Sequence, residues 1–149
     1  MTLDLAEALF VLDLLPSDKL PEVAVSALVD GINNRPMQIL AGLTSGELQT
    51  ARELFTQALL LLDRGKLSKE EAVRRYTRFV SRQILSGEVP PYEGARKIWG
   101  ASTKINVEFH DVDPFIYAAS EYEDRPEDRE FFKKEILLEA QRWIAPQRE

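Results

Sequence analysis

The chain has 149 residues, 44% hydrophobic and 30% charged, enough for one ordinary globular domain with its own core and no need of a disulfide or metal to fold. It contains no cysteine, which excludes disulfides, thiolate nucleophiles and zinc–thiolate sites and fits a reducing compartment. Its formal charge of −6 is the opposite of the basic footprint of a nucleic-acid-binding surface, so nucleic acid is not an expected partner.

The start, Met1-Thr2-Leu3-Asp4-Leu5, lacks the basic region of a secretory leader, and Asp13 closes its apolar run. No apolar stretch nears the ~20 residues of a membrane span. A cytoplasmic, bacterial-type protein is expected, with no membrane partner. The first helix is predicted over about Thr2–Leu15, apolar nearly all round (Leu5, Ala8, Leu9, Phe10, Leu12, Leu15) and therefore deeply packed. A second starts near Pro21, carries Leu20, Val23, Ala24, Ala27 and Leu28 on one face, and stops at Gly31. A short third helix spans Pro36–Ala41.

Two stronger helices follow. Thr44 and Glu47 fit a capping box before the stripe Leu48, Ala51, Phe55, Ala58, Leu62, with Gly65 as the stop. Ser68 and Glu71 fit a second box before Ala72, Val73, Tyr76, Val80 and Ile84, with Gly87 as the stop. After Pro90-Pro91, Tyr92–Trp99 reads as a short helix ended by Gly100. Residues 105–109 (Ile-Asn-Val-Glu-Phe) alternate as a strand would, but a lone strand leaves its backbone groups unpaired, so an extended connector is expected. Asp113-Pro114 reads as an N-cap and first-turn proline of a helix to about Glu123. A last helix opens near Pro126, with core positions Phe132, Ile136, Ala140, Trp143 and Ile144. The fold class implied is all-α: one domain over 1–149, a bundle of about six to eight helices. Its central antiparallel pair would be Thr44–Leu62 and Ser68–Leu85.

Charge is unevenly spread. Residues 64–104 hold ten basic side chains against four acids, whereas 108–130 hold nine acids against two arginines. Glu70–Arg74 and Glu71–Arg75 are favourably ordered i,i+4 pairs. Arg78 and Arg82 have no such local partner and stand free to meet the acidic block or an anionic ligand. Glu121 and Glu123 fall in the last turn of a helix, the end that disfavours anions, so an arginine (Arg125, Arg78 or Arg82), a cation or a basic partner must compensate. His110, Asp111 and Asp113 are the only residues patterned like metal ligands. The single histidine rules out HExxH, and Asp113 already serves as a cap. No metal or other cofactor is expected. There is no P-loop, no G-x-G-x-x-G and no G-x-S-x-G.

Two strings stand out: Ile84-Leu85-Ser86-Gly87-Glu88-Val89-Pro90-Pro91-Tyr92-Glu93-Gly94-Ala95-Arg96-Lys97-Ile98-Trp99 and Asp113-Pro114-Phe115-Ile116-Tyr117-Ala118-Ala119-Ser120-Glu121-Tyr122-Glu123-Asp124-Arg125-Pro126. Together they resemble an uncharacterised group of small bacterial all-helical proteins carrying P-Y-E-G-A-x-x-I-W followed by P-F-x-x-x-A-S-E-x-E-D-x-P. The resemblance implies a shared helical fold, assigns no role to any residue, and joins Tyr92-Glu93-Gly94 and Glu121-Tyr122-Glu123-Asp124 into one local unit.

Two function classes follow. The first is a non-enzymatic protein-interaction module, of which the immunity type that neutralises basic toxins is one form, offering an acidic surface around 108–130 to a basic partner. Its binding residues would be Glu121, Glu123, Asp124, Tyr92, Glu93, Arg78 and Arg82. The alternative is a metal-dependent hydrolase using Glu121, Glu123, His110 and Asp111. The absence of catalytic motifs favours the first.

Overall fold

Thr2 opens the first helix, its hydroxyl accepting the Leu5 N–H at 3.3 Å. This begins a computed structural model that describes residues 1–44 and 46–146. Its described residues form eight α-helices and no strand: α1 Leu3–Val11, α2 Leu20–Val29, α3 Arg35–Ala41, α4 Leu48–Leu61, α5 Lys69–Ser86, α6 Pro91–Ser102, α7 Asp113–Asp124 and α8 Arg129–Ile144. No helix among them is long and apolar enough to cross a membrane. The all-helical class is as the sequence predicts, and residues 105–109 form an irregular connector. The chain divides into two compact units, 1–68 and 69–149.

In the first unit, α2 packs on α3 and α4, and α3 packs on α4. Leu20, Val23, Ala24, Met37, Leu40, Phe55 and Ala58 are buried in its core. Phe10 meets Phe55 edge-on with centroids 4.9 Å apart. Asn34 caps α3 by accepting the Met37 N–H at 3.0 Å, and its amide donates to the Ala58 carbonyl of α4 at 3.2 Å. Glu7 is buried, and its carboxylate receives Arg64 at 3.4 Å and the Gly65 N–H at 3.4 Å. Charge burial is tolerated where such partners exist.

Two ends differ from the predicted ones for the same reason. The first helix closes at Asp13 (φ 56), short of Leu15, with Leu14 N–H bonding to the Leu9 carbonyl at 2.8 Å. The fourth closes at Asp63 (φ 56), ahead of Gly65, with Arg64 N–H bonding to the Leu59 carbonyl at 2.8 Å. Aspartate tolerates the left-handed conformation that ends a helix, so it takes the place expected of glycine. The Thr44–Glu47 box does not form. Glu47 itself precedes α4 and makes no side-chain cap bond; Gly46 just before it resists helical ordering.

In the second unit the packing contacts close a ring, α5 on α6, α6 on α7, α7 on α8 and α8 on α5, which makes a four-helix bundle. Val73, Val80, Ile84, Ala95, Ile98, Phe115, Ala119, Phe132, Ile136 and Ala140 are among its buried side chains. Ser68 and Glu71 stand at the capping and third positions of α5, and Gly87 (φ +82) follows its end, as predicted. The sixth helix runs past Trp99 and Gly100 to Ser102. Near its end the Ser102 hydroxyl donates to the Trp99 carbonyl and the Thr103 hydroxyl to the Gly100 carbonyl, both at 2.6 Å, and the Lys104 and Ile105 N–H groups take the Ala101 and Ser102 carbonyls. Asp113 is the first helical residue of α7 rather than its cap; Val112 precedes it with no side-chain cap bond. The two helices expected to pair at the centre divide between the units. Within its own unit α4 lies on α2 and α3, and α5 lies on α6 and α8. Periodicity tells which face of a helix is buried but not against what.

Candidate functional site

The proline at the first position of α6 sets Tyr92 in its opening turn, and α7 carries Glu121, Tyr122 and Glu123 in its closing turn. These turns meet. The Tyr92 hydroxyl donates to Glu123 Oε2 at 2.9 Å, and the rings of Tyr92 and Tyr122 stack with centroids 4.5 Å apart and planes 16° from parallel. Arg96, one turn beyond Tyr92, brings Nε to 3.7 Å from the same carboxylate oxygen and lays its guanidinium over Trp99 at 4.4 Å. Arg129 sits over the Tyr122 ring at 5.0 Å and donates to the Tyr122 carbonyl at 3.0 Å. Tyr92 of the first string therefore meets Tyr122 and Glu123 of the second.

Desolvation and the bond to Glu123 both push the Tyr92 phenol above its ordinary pKa, so it remains a donor at neutral pH. The adverse charge of Glu123 at a helix C-terminus is offset by Tyr92 and Arg96. That of Glu121 is offset by Arg125, 3.6 Å away, which also holds Asp128 at 2.6 Å.

The compensating arginines are thus Arg96 and Arg125. Arg78 is not free, as its sequence neighbours suggest: Nη2 lies 3.2 Å from Glu71 Oε1, two turns back on the same face of α5. Arg74 takes the other oxygen of Glu71 at 3.3 Å and holds Asp111 at 2.6 Å. Arg82 and Glu93 are exposed, away from these contacts. Arg96 could have been found from sequence, since it stands at i+4 from Tyr92 and shares its face. Arg129 carried no comparable signal.

His110 places Nδ1 2.8 Å from Asp113 and Nε2 2.8 Å from Glu108. A carboxylate thus faces each ring nitrogen, and both nitrogens are engaged in hydrogen bonds. Asp111 is committed to Arg74. Among the described residues no group of three or more ligating side chains is placed to hold a metal. Of the weak metal candidates, His110 and Asp113 bond each other and Asp111 bonds Arg74, while Glu121 and Glu123 each pair with a different arginine. The bond to Glu108, then that to Asp113, raises the His110 pKa above its ordinary 6.5. A raised folded-state value means the clasp stabilises fully below 6.5, and that contribution is lost as pH rises through the folded pKa. An NMR titration is expected to give a His110 midpoint above 6.5 that Glu108→Gln lowers. A midpoint at or below 6.5 contradicts the clasp.

Of the nine acids between 108 and 130, Asp124, Glu127 and Glu130 remain exposed and make no ion pair to another described residue. All three belong to the corner where α7 passes into α8. Glu130 also lines a groove of about 410 Å³ shared with Pro90, Pro91, Tyr92, Tyr122 and Lys133. This corner sets those three carboxylates beside the stacked Tyr92 and Tyr122 rings.

Compared with known proteins, the chain matches no family, no curated protein and no solved structure.

Proposed function

We propose that this chain is a non-enzymatic, cytoplasmic protein-interaction module of bacterial type that captures a basic protein partner. Its contact surface is the corner formed by Asp124, Glu127 and Glu130 beside the Tyr92–Tyr122 stack. The observation that supports this reading is the survival of those three carboxylates, while the other acids of the block are held by Arg74, Arg96, Arg125 or His110. Asp124 ends a helix with no cation paired to it among the described residues, so a positive partner would relieve a cost the fold leaves standing. The stacked tyrosines are braced by Glu123 and Arg129 and offer area at little entropic cost on binding. Neutralisation of a basic toxin, the immunity-like case, is one use of such a surface by analogy.

Random displayed peptides can stand in for the natural partner. Their selection on the immobilised chain is expected to enrich sequences rich in lysine and arginine. Binding of the enriched peptides should fall about tenfold or more on Asp124→Lys/Glu127→Lys/Glu130→Lys, and fall again with added salt. Peptides without basic enrichment, or equally tight on the reversed surface, contradict the proposal.

A further inference from the structure

The outer face of α8 carries a feature that the acidic corner does not use. Phe131 and Leu138, seven residues apart and so on one side of the helix, are 57% and 45% exposed, and Tyr117 of α7 is 62% exposed. Tyr117 and Phe131 line a common groove of about 300 Å³ with Glu135 and Arg142 on its border. Large apolar side chains gathered in one exposed patch mark an interaction face.

We propose that this face binds a second copy of the chain, with the two α8 helices antiparallel across a two-fold axis. Charge identifies the occupant. Glu135 and Arg142 lie on the same side of α8 as Phe131 and Leu138, at equal distances either side of the point between Leu138 and Glu139. A two-fold axis through that point sets Glu135 of each copy against Arg142 of the other, with Leu138 of both copies at the centre. Such a patch is complementary to itself, as an isologous dimer requires. Its charges cancel, so it does not suit a partner of single sign. Arg142 uses Nη1 on Glu139 at 3.4 Å, which leaves other guanidinium N–H groups for the crossing pair. Antiparallel packing also aligns the two helix dipoles favourably.

Sedimentation velocity on the full chain, from about 1 µM to about 1 mM, covers ordinary dimer affinities. The mass is expected to rise with concentration from 17.0 kDa toward twice that value. Leu138→Glu should raise the dissociation constant about tenfold or more, because it buries a charge on both sides of the axis. Glu135→Arg and Arg142→Glu should each weaken the dimer about two- to fivefold, and the double exchange should return it close to wild type. A fold defect would not be cured by the second exchange; circular dichroism checks each variant. A single 17.0 kDa species throughout, a dimer indifferent to Leu138→Glu, or no recovery in the double exchange overturns the proposal. So does a monomer that takes lipid vesicles or a foreign peptide on Phe131 and Leu138.

Discussion

Phe115→Ala is expected to lower the stability of the second unit by about 3–5 kcal/mol, the cost of removing a fully buried aromatic ring and leaving a cavity. Phe115 is 0% exposed in the first turn of α7, the helix that closes the ring of four by packing on α6 and α8. Urea unfolding should show the midpoint displaced with the slope retained. A change of only about 1 kcal/mol or less would mean that the ring is not enclosed as described, since core truncations of this size rarely cost so little.

Gly94→Leu should be nearly as damaging, although leucine favours a helix over glycine by about 1 kcal/mol. A Cβ built at Gly94 meets Ile84 Cγ1 and Cδ1 at 2.5 Å and Val80 Cγ1 at 3.4 Å. Both neighbours are buried on α5 and have little room to retreat. The glycine is therefore what allows α5 and α6 to approach, and the overpacked variant should lose about 3 kcal/mol. Ile84→Ala added to Gly94→Leu should restore part of that loss, a favourable coupling seen only when the two side chains compete for one space. If Gly94→Leu is neutral or stabilising in thermal melts, the close approach is absent. This packing also accounts for the glycine within the Pro91-Tyr92-Glu93-Gly94-Ala95 string: its reason is steric, not chemical.

The helices were legible because two signals agreed at most of them, a 3.6-residue apolar period and punctuation at the ends. Punctuation failed where one residue type did another's work. Asp13 and Asp63 take the left-handed position, so α1 and α4 stop before the leucine and glycine that mark their expected ends. Gly100 sits in open space with no special backbone demand, and α6 runs through it. The division into two units was not legible at all. The apolar stripes of α4 and α5 say only that each is covered; within its own unit α4 lies on α2 and α3, and α5 on α6 and α8.

Tyr92 and Glu123 belong to strings that suggested one local unit, and a hydrogen bond joins these two side chains. Of the compensating cations, Arg125 was named from the sequence and does hold Glu121, whereas Arg96 was not. Arg78 reaches Glu71 because two helical turns return it to the same face, whereas Arg96 reaches Glu123 only through the packing of α6 on α7. Charge counted along the polypeptide therefore overstated the free acidic surface. Arginines reached in space take up part of it, and what remains narrows to Asp124, Glu127 and Glu130.

That remainder is what the proposed recognition rests on, and amide chemical-shift mapping with a library-selected basic peptide measures it most directly. The largest shifts should fall on residues 122–130 and on Tyr92, and the reversed triple variant should lose them. Shifts confined to other helices, or unchanged when Asp124, Glu127 and Glu130 are reversed, would contradict a recognition surface at the α7–α8 corner.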